Sequence, residues 1–173
     1  IVAAACYGTN PLGALPLYAE GVNACSVLFY RFSLAVVLLA VIMAVQCKSF
    51  AVTRRELAML AGLGVTFSSS SLSLFFSFYF MSAGIASTIL FVYPVMVAVI
   101  MAVFFKERVT ASTVLSILLA LAGIALLYKG DDGTALSTIG VVLVFISSLT
   151  YALYIIIVNK SPLRMSALKL TFY

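Results

Sequence analysis

The stretch that decides the fold runs from Leu57 to Phe105 and reads LAMLAGLGVTFSSSSLSLFFSFYFMSAGIASTILFVYPVMVAVIMAVFF, with no Asp, Glu, Lys or Arg in 49 positions. As one helix it would be about 73 Å long, whereas the hydrocarbon core of a bilayer is about 30 Å thick. The stretch must therefore fold back once, and Ser82-Ala83-Gly84 is the predicted turn. We expect two membrane spans here, 57–80 and 84–105.

The sequence on either side of this stretch continues the same pattern. Residues 109–128 and 133–159 are uncharged, and residues 24–45 carry only Arg31. Further spans are predicted at 24–45, 111–128 and 138–158, and the apolar ends 1–15 and 166–173 look like parts of further helices. The predicted fold is an all-α, polytopic transmembrane helix bundle.

Composition excludes most other classes of protein. The 173 residues are 65% hydrophobic and 9% charged, with a mean hydropathy of +1.25, whereas a soluble domain is about 45–50% apolar and about 25% charged. There is no His, which removes Ser-His-Asp chemistry and imidazole metal sites. Cys6, Cys25 and Cys47 are widely spaced without a C-x-x-C motif, so we expect neither a metal nor a cofactor.

The basic residues predict the orientation in the membrane. Alternate loops hold seven bases against one: Lys48, Arg54, Arg55, Lys106, Arg108, Lys160 and Arg164 on one side, and Lys129 on the other. The side with seven should be cytoplasmic, which places the N-terminus of the full-length chain in the cytoplasm. We expect the protein in the plasma (inner) membrane. Bases scattered over short loops do not indicate nucleic-acid binding. The strong bias disfavours a half-size antiparallel dimer, and leaves an ordinary homodimer open.

An internal repeat is suggested by two matching stretches. Tyr7 leads to Phe29-Tyr30, and Tyr151 leads to Phe172-Tyr173, each through a short polar connection that contains Pro. One period of about 143 residues would hold five spans, so the second copy would be inverted, as in many transporters. The predicted first repeat is 1–137, and 138–173 begins the second. Because the sequence starts at Ile1 and stops within an apolar stretch, we expect a truncated part of a ten-span protein.

Six local motifs follow one another along the chain. They are Ala5-Cys6-Tyr7-Gly8-Thr9-Asn10, Arg31, Pro94, Lys106-Glu107-Arg108-Val109-Thr110, Ser116 to Gly123, and Gly140 to Lys160. In this order they resemble the EamA-type transporters of the drug/metabolite transporter superfamily. Tyr7 stands in place of that family's first-helix Trp, and Lys106 and Ser116 each stand in place of a Gly. The resemblance implies a ten-helix carrier of two inverted five-helix domains and does not fix the substrate.

A stripe of hydroxyl residues marks the 57–80 span. Thr66, Ser70, Ser73 and Ser77 are spaced by 4, 3 and 4, which puts them on one face of a helix. Lipid offers hydroxyls no partner, so the stripe should face protein or a water-filled cavity. It either lines the substrate pathway or forms a small-residue helix interface, with hydroxyls bonded to carbonyls of residues i−4. The resemblance favours the pathway, because the third helix borders the central cavity in that family.

Two bases fall inside predicted spans, Arg31 and the later Lys169. A base at the centre of a bilayer costs about 2.5–3.5 kcal/mol on insertion scales, although a residue near a span end reduces this by snorkelling. Arg31 either attracts an anionic or zwitterionic substrate or anchors its helix beside Tyr30. Lys169 poses the same alternative at the cytoplasmic side.

Pro94 interrupts the 84–105 span near its middle. It removes one backbone hydrogen bond and frees a carbonyl about four residues earlier, near Leu90. The break either forms a hinge or exposes carbonyls to substrate, or it is a kink filled by a neighbouring Ser or Thr. Ser87, Phe91 and Tyr93 around it are further predicted pathway residues.

The remaining predictions concern tyrosines and small residues. Tyr7, Tyr151 and Tyr154 lie inside spans, where they either line an aromatic cavity for amphipathic metabolites or pack between helices. Asn10, in the first-helix motif, belongs to the same predicted pathway. The small-residue face of the 111–128 span predicts close helix packing and consists of Ser116, Ala120 and Gly123.

Acidic residues lie only at span ends or in loops. A carboxylate relay for protons would therefore lie in the missing half of the protein, or else transport is not proton-coupled through a carboxylate. The function predicted from the sequence is an integral membrane secondary transporter. It would move a small organic metabolite, amino-acid-like or drug-like, by alternating access, either by import or by efflux. The alternative is a non-transporting polytopic membrane scaffold or sensor, which predicts fully packed stripes and no central cavity. An intramembrane enzyme is disfavoured, because there is neither a His nor an embedded acid.

Overall fold

The computed structural model describes residues 10–106, 110–128, 137–161 and 165–173, and all regular elements in these ranges are helices. They are α1 (Asn10–Ala19), α2 (Ala24–Val45), α3 (Arg54–Ser77), α4 (Ala83–Leu90), α5 (Tyr93–Phe105), α6 (Ala111–Tyr128), α7 (Thr138–Lys160) and α8 (Ala167–Phe172). The predicted all-α bundle is confirmed. By length and composition, four segments of this described part can cross a membrane: Ala24–Val45, Arg54–Ser77, Ala83–Phe105 and Thr138–Lys160.

Helix limits agree with two of the predicted spans and differ at the others: α7 ends at Lys160 rather than at 158, and 84–105 is divided into α4 and α5. The predictions 24–45 and 111–128 coincide with α2 and α6, whereas 57–80 is shifted by three residues. The cause is a capping box: the Thr53 hydroxyl accepts the Glu56 N–H at 3.4 Å, and a Glu56 carboxylate oxygen accepts the Thr53 N–H at 2.7 Å. Because this pair satisfies backbone donors at the helix start, the helix begins before the uncharged run.

The reversal between α3 and α4 lies earlier than predicted. The turn occupies 78–82, and Ala83 and Gly84 are already helical, so the predicted turn at Ser82-Ala83-Gly84 is wrong at its last two positions. The Ser82 hydroxyl accepts the Ile85 N–H at 3.4 Å and thereby caps α4. A serine at this position satisfies a backbone donor that would otherwise be unpaired in an apolar environment.

Helix α1 extends to Ala19, beyond the apolar segment 1–15 from which a helix is expected. The chain then turns against the far end of α3. The rings of Tyr18 and Tyr79 stack with centroids 4.9 Å apart, and the Tyr79 hydroxyl accepts the Ala24 N–H at 2.9 Å. These contacts fix the entry into α2.

Helix α7 lies at the centre of the described bundle and packs against α3, α4 and α5. Its inner face is built from small residues, which allow close approach of helices in membranes. At Gly140 a Cβ would lie 3.2 Å from the Phe80 Cβ and 2.9 Å from the Met81 Cε. The outer surface is apolar, with Val65 68% exposed and Phe104 77% exposed, as suits contact with lipid.

Candidate functional site

The middle of the hydroxyl stripe pairs α3 with α7. The Ser70 hydroxyl donates to the Ser147 carbonyl at 2.9 Å, and the Ser147 hydroxyl donates to the Ser70 carbonyl at 2.7 Å. The two hydroxyl oxygens are 3.1 Å apart, and both side chains are buried. Ser70 therefore lies in a reciprocal helix–helix contact.

The other members of the stripe have different surroundings. The half-buried Thr66 donates to the Gly62 carbonyl, four residues earlier, at 2.8 Å. The buried Ser77 donates to the Leu74 carbonyl at 2.6 Å. Ser73 is half-buried. The four residues share a face of α3 as the spacing predicts, but the structure does not bring them to one common cavity.

The predicted break at Pro94 is present as two separate helices. Helix α4 ends at Leu90, residues 91–92 form a turn, and Pro94 occupies the first turn of α5. The Leu90 carbonyl, which the proline leaves without its helical donor, accepts the hydroxyl of the fully buried Ser148 on α7 at 3.3 Å. The neighbouring pathway predictions differ in exposure, because Ser87 is half-buried whereas Phe91 is 50% exposed.

A cavity of about 470 Å³ lies between α2, α3, α7 and α8, and we name it the aromatic cavity. Phe32, Phe67, Tyr151 and Tyr154 line one side of it. The Phe67 ring centroid lies 6.0 Å from that of Phe32, 5.3 Å from that of Tyr154 and 6.3 Å from that of Tyr151. Aromatic rings at these separations attract one another edge-to-face or offset, so the cavity has an ordered aromatic wall.

Arg31 stands at the end of the aromatic cavity nearer to the start of α2. Its guanidinium carbon lies 6.0 Å from the Phe32 ring centroid and 5.8 Å from that of Phe75. The same residue lines a second cavity of about 480 Å³ between α1 and α2. Arg31 is half-buried and separates these two spaces.

Helices α5 and α7 border a third cavity, of about 570 Å³, which we name the α5–α7 cavity. Tyr93 and Pro94 line it, together with Asn159 and Lys160. The Tyr93 ring meets that of Tyr151 edge-on, with centroids 4.8 Å apart. Because Tyr151 lines the aromatic cavity, this pair forms part of the wall between the two cavities.

The opposite end of the aromatic cavity is bordered by α8, which contacts the loop between α2 and α3. The Lys169 ammonium donates to the Ala51 carbonyl, and the Tyr173 hydroxyl donates to the Phe50 carbonyl at 2.6 Å. The rings of Phe50 and Phe172 meet edge-on at 5.6 Å. Lys169 is therefore held by the loop and does not line the aromatic cavity.

Comparison with known proteins decides the family. The EamA-like transporter family matches residues 1–129, most of the chain. The chain belongs to the EamA-like transporter family. No curated protein and no solved structure matches it. Together with the apolar helices of the described ranges, the family makes the chain a multi-pass membrane protein of the drug/metabolite transporter type.

Several predicted residues of this EamA-like chain lie outside the described part. Tyr7 precedes the first described residue, and the side chains of Ser116, Ala120 and Gly123 are not described. Asn10 is the first residue of α1, and its side chain is likewise not described. Within the described ranges, no group of three His, Cys, Asp or Glu residues is placed to hold a metal ion.

Sequence reasoning missed four residues that organise the site of this EamA-like transporter: Phe32, Phe67, Ser147 and Ser148. For Ser147 a signal exists, since Ser147, Tyr151 and Tyr154 are spaced by 4 and 3 and share a helix face. Phe67 gives no such signal, because its 57–80 span holds several other phenylalanines. Only the packing of α3 against α7 distinguishes it.

Proposed function

We propose that this chain is a secondary transporter that moves a small organic metabolite, amino-acid-like or drug-like, by alternating access. The aromatic cavity would be its substrate site. The observation that carries the proposal is the meeting of Phe67, Tyr151 and Tyr154 around a space of about 470 Å³. Small-molecule sites are typically about 300–1,000 Å³ in volume, mainly apolar and aromatic, with a few polar groups.

Alternating access requires one part of the bundle to move against another. The turn at 91–92 supports a hinge at Pro94, because a helix break absorbs changes in backbone angles at two residues. The paired serines Ser70 and Ser147 support the opposite role for α3 and α7, as a fixed unit. Ser87 and Tyr93 would then lie on the two sides of the hinge, with Phe91 in the turn itself.

The finer parts of the proposal rest on the sequence. A cytoplasmic N-terminus follows from the predicted seven-to-one distribution of bases over alternate loops. The plasma membrane as the location, and efflux rather than import as the direction, are further parts of the proposal that this distribution does not carry. The inverted repeat divided at residues 1–137 and 138–173 provides the symmetry that alternating access uses. Tyr7 and Asn10 are proposed as pathway residues, and only the first-helix sequence motif supports this.

The test is flux through the protein expressed from its native gene and reconstituted in proteoliposomes. Vesicles loaded with a metabolite extract should lose specific compounds faster than protein-free vesicles, as measured by mass spectrometry. Phe67→Ala should slow that flux at least tenfold, because it removes the ring that joins Phe32 to the tyrosines. The matched control is Val65→Ala, on the same helix and 68% exposed, which should transport normally.

Two further variants test the site assignment separately. Ser73→Leu and Arg31→Ala should each reduce transport of the compound identified in this way. If both left it unchanged, the assigned pathway would be wrong although the protein transports. A protein that folds and inserts but gives no flux beyond that of protein-free vesicles would instead favour the membrane scaffold or sensor. That alternative predicts no central cavity, and the aromatic cavity argues against it.

A further inference from the structure

The lining of the aromatic cavity is asymmetric in charge. Arg31 is its one charged residue, and no Asp or Glu lines it in the described part of the chain. The other polar groups on the wall include the hydroxyls of Ser68, Tyr151 and Tyr154, all of which can donate hydrogen bonds. Every group that carries a formal charge at this wall is therefore positive.

The aromatic surroundings of Arg31 favour the binding of an anion at this end of the cavity. The half-buried guanidinium of Arg31 lies beside the rings of Phe32 and Phe75, which replace part of the water around it. Attraction between charges grows as the effective dielectric constant falls, so an anion gains more here than at a wet surface. Arginine also offers several fixed donors that match the oxygens of a carboxylate.

The aromatic wall continues directly from Arg31 into the cavity. The guanidinium carbon of Arg31 is 6.0 Å from the Phe32 ring centroid. The Phe67 ring centroid lies 6.0 Å from that of Phe32 and 5.3 Å from that of Tyr154. A ligand with its charged group at Arg31 would place a flat apolar body against Phe67 and Tyr154.

We propose that the aromatic cavity selects organic monoanions that carry an aromatic or other flat apolar body. This inference rests on the proposed function and names the substrate class of the same site. A zwitterion would need an acidic partner for its ammonium group, and a cation would face Arg31. Among the described residues, the lining offers a carboxylate to neither of them, so the monoanion is favoured over both.

Three probes of one shape and different charge test the proposal: 3-phenylpropionate, its neutral amide 3-phenylpropionamide, and 3-phenylpropylamine. Radiolabelled probes are equilibrated by dialysis with the protein in nanodiscs of neutral phosphatidylcholine, and empty nanodiscs provide the background. At pH 7 the carboxylate should bind saturably and at least tenfold more tightly than the amide. The amine should bind more weakly than either.

Charge variants identify the group responsible. Arg31→Met should weaken binding of the carboxylate at least tenfold and leave that of the amide unchanged, which also shows that the site has folded. Arg31→Lys should retain most of the preference for the carboxylate. The matched control is Lys169→Met, which removes a base bound to the Ala51 carbonyl and should leave all three affinities unchanged.

The inference is overturned if the amide or the amine binds as tightly as the carboxylate, if none of the probes binds saturably, or if Arg31→Met keeps the preference. Saturable amide binding without preference for the anion would leave the transport proposal intact, because the cavity would still accept a small molecule. Conversely, preferential binding of the carboxylate with no flux in proteoliposomes would overturn transport and retain the anion site.

Discussion

The paired serines between α3 and α7 allow a direct test of whether the hydroxyl stripe serves packing or transport. Replacing Ser70 or Ser147 with Ala removes one donor, while the carbonyl that accepted it stays bonded within its own helix. We expect Ser70→Ala and Ser147→Ala each to lower the free energy of unfolding and to leave transport intact.

The magnitude follows from the hydrogen bonds of the pair. A hydrogen bond between membrane helices contributes about 0.6 kcal/mol on average and at most about 1.7 kcal/mol. The bonds of Ser70 and Ser147 measure 2.9 and 2.7 Å and are fully enclosed, so each single variant should cost about 1 kcal/mol. The hydroxyl oxygens also lie 3.1 Å apart. Because residues in contact are coupled, the cost of the double variant should differ from the sum of the two single costs by about 0.5 kcal/mol or more.

Equilibrium unfolding in lipid bicelles, followed for the protein and its four-member mutant cycle, measures both quantities. Ser69→Ala is the matched control, because Ser69 lies on the same helix beside Ser70 and is exposed. Its unfolding free energy should change by less than about 0.5 kcal/mol.

Two results would refute this reasoning. Strictly additive single and double variants would show that the serines do not interact. Loss of transport in Ser70→Ala at unchanged stability would show that its hydroxyl contacts substrate.

Three further predictions follow from other contacts. Gly140→Ala should lower the unfolding free energy by about 1–3 kcal/mol in the bicelle assay, because the added Cβ meets the Cβ of Phe80, in the α3–α4 turn, at 3.2 Å. Ser148→Ala should cost about 1 kcal/mol in the native sequence and much less in a Pro94→Ala background, where a backbone N–H can bond the carbonyl that Ser148 now serves. The exposed Cys25 and Cys47, at opposite ends of α2, should react with a membrane-impermeant maleimide from opposite sides, with Cys47 on the cytoplasmic side.

Each of these has a control and a contrary outcome. Gly62→Ala has no atom within 4 Å of the new Cβ and should not destabilise; equal losses at both glycines would contradict the packing argument. An equal cost of Ser148→Ala in both backgrounds would mean that the proline does not create the need for the serine. The labelling is done in Cys6→Ser protein, and reaction of both remaining cysteines from one side would contradict the predicted topology.

Much of the fold could be predicted because a bilayer restricts the chain strongly. A charge-free run such as 57–105 can only form helices of about the membrane thickness, and its reversal follows from length. The exact ends depend on single side chains instead. Thr53 and Ser82 cap their helices by accepting specific backbone N–H groups, and these local hydrogen bonds moved two predicted limits by up to three residues.

The candidate site could be predicted less well, because it depends on which faces of different helices meet. The sequence places Ser70 and Ser77 on one face, but it does not tell that Ser147 would satisfy Ser70 while Leu74 satisfies Ser77. Likewise the free carbonyl near Leu90 follows from Pro94, whereas its partner is a serine from a helix more than 50 residues later. Hydroxyls in an apolar span thus indicate that a partner exists and leave its identity to tertiary packing.

Helix α7 connects these features through consecutive turns of one face. Ser147 binds α3, Ser148 binds the end of α4, and Tyr151 contacts Tyr93 on α5 and Phe67 on α3. A change in angle at the 91–92 turn would therefore strain the Ser148 bond and displace the Tyr93 ring from Tyr151. Because Tyr151 also lines the aromatic cavity, occupancy of the cavity and the angle of the break would be coupled by direct contact. Tyr93→Ala should accordingly weaken the effect of bound ligand on the angle at the 91–92 turn. The measurement is the ligand-induced change in distance between spin labels on α5 and α3, which should be smaller in this variant.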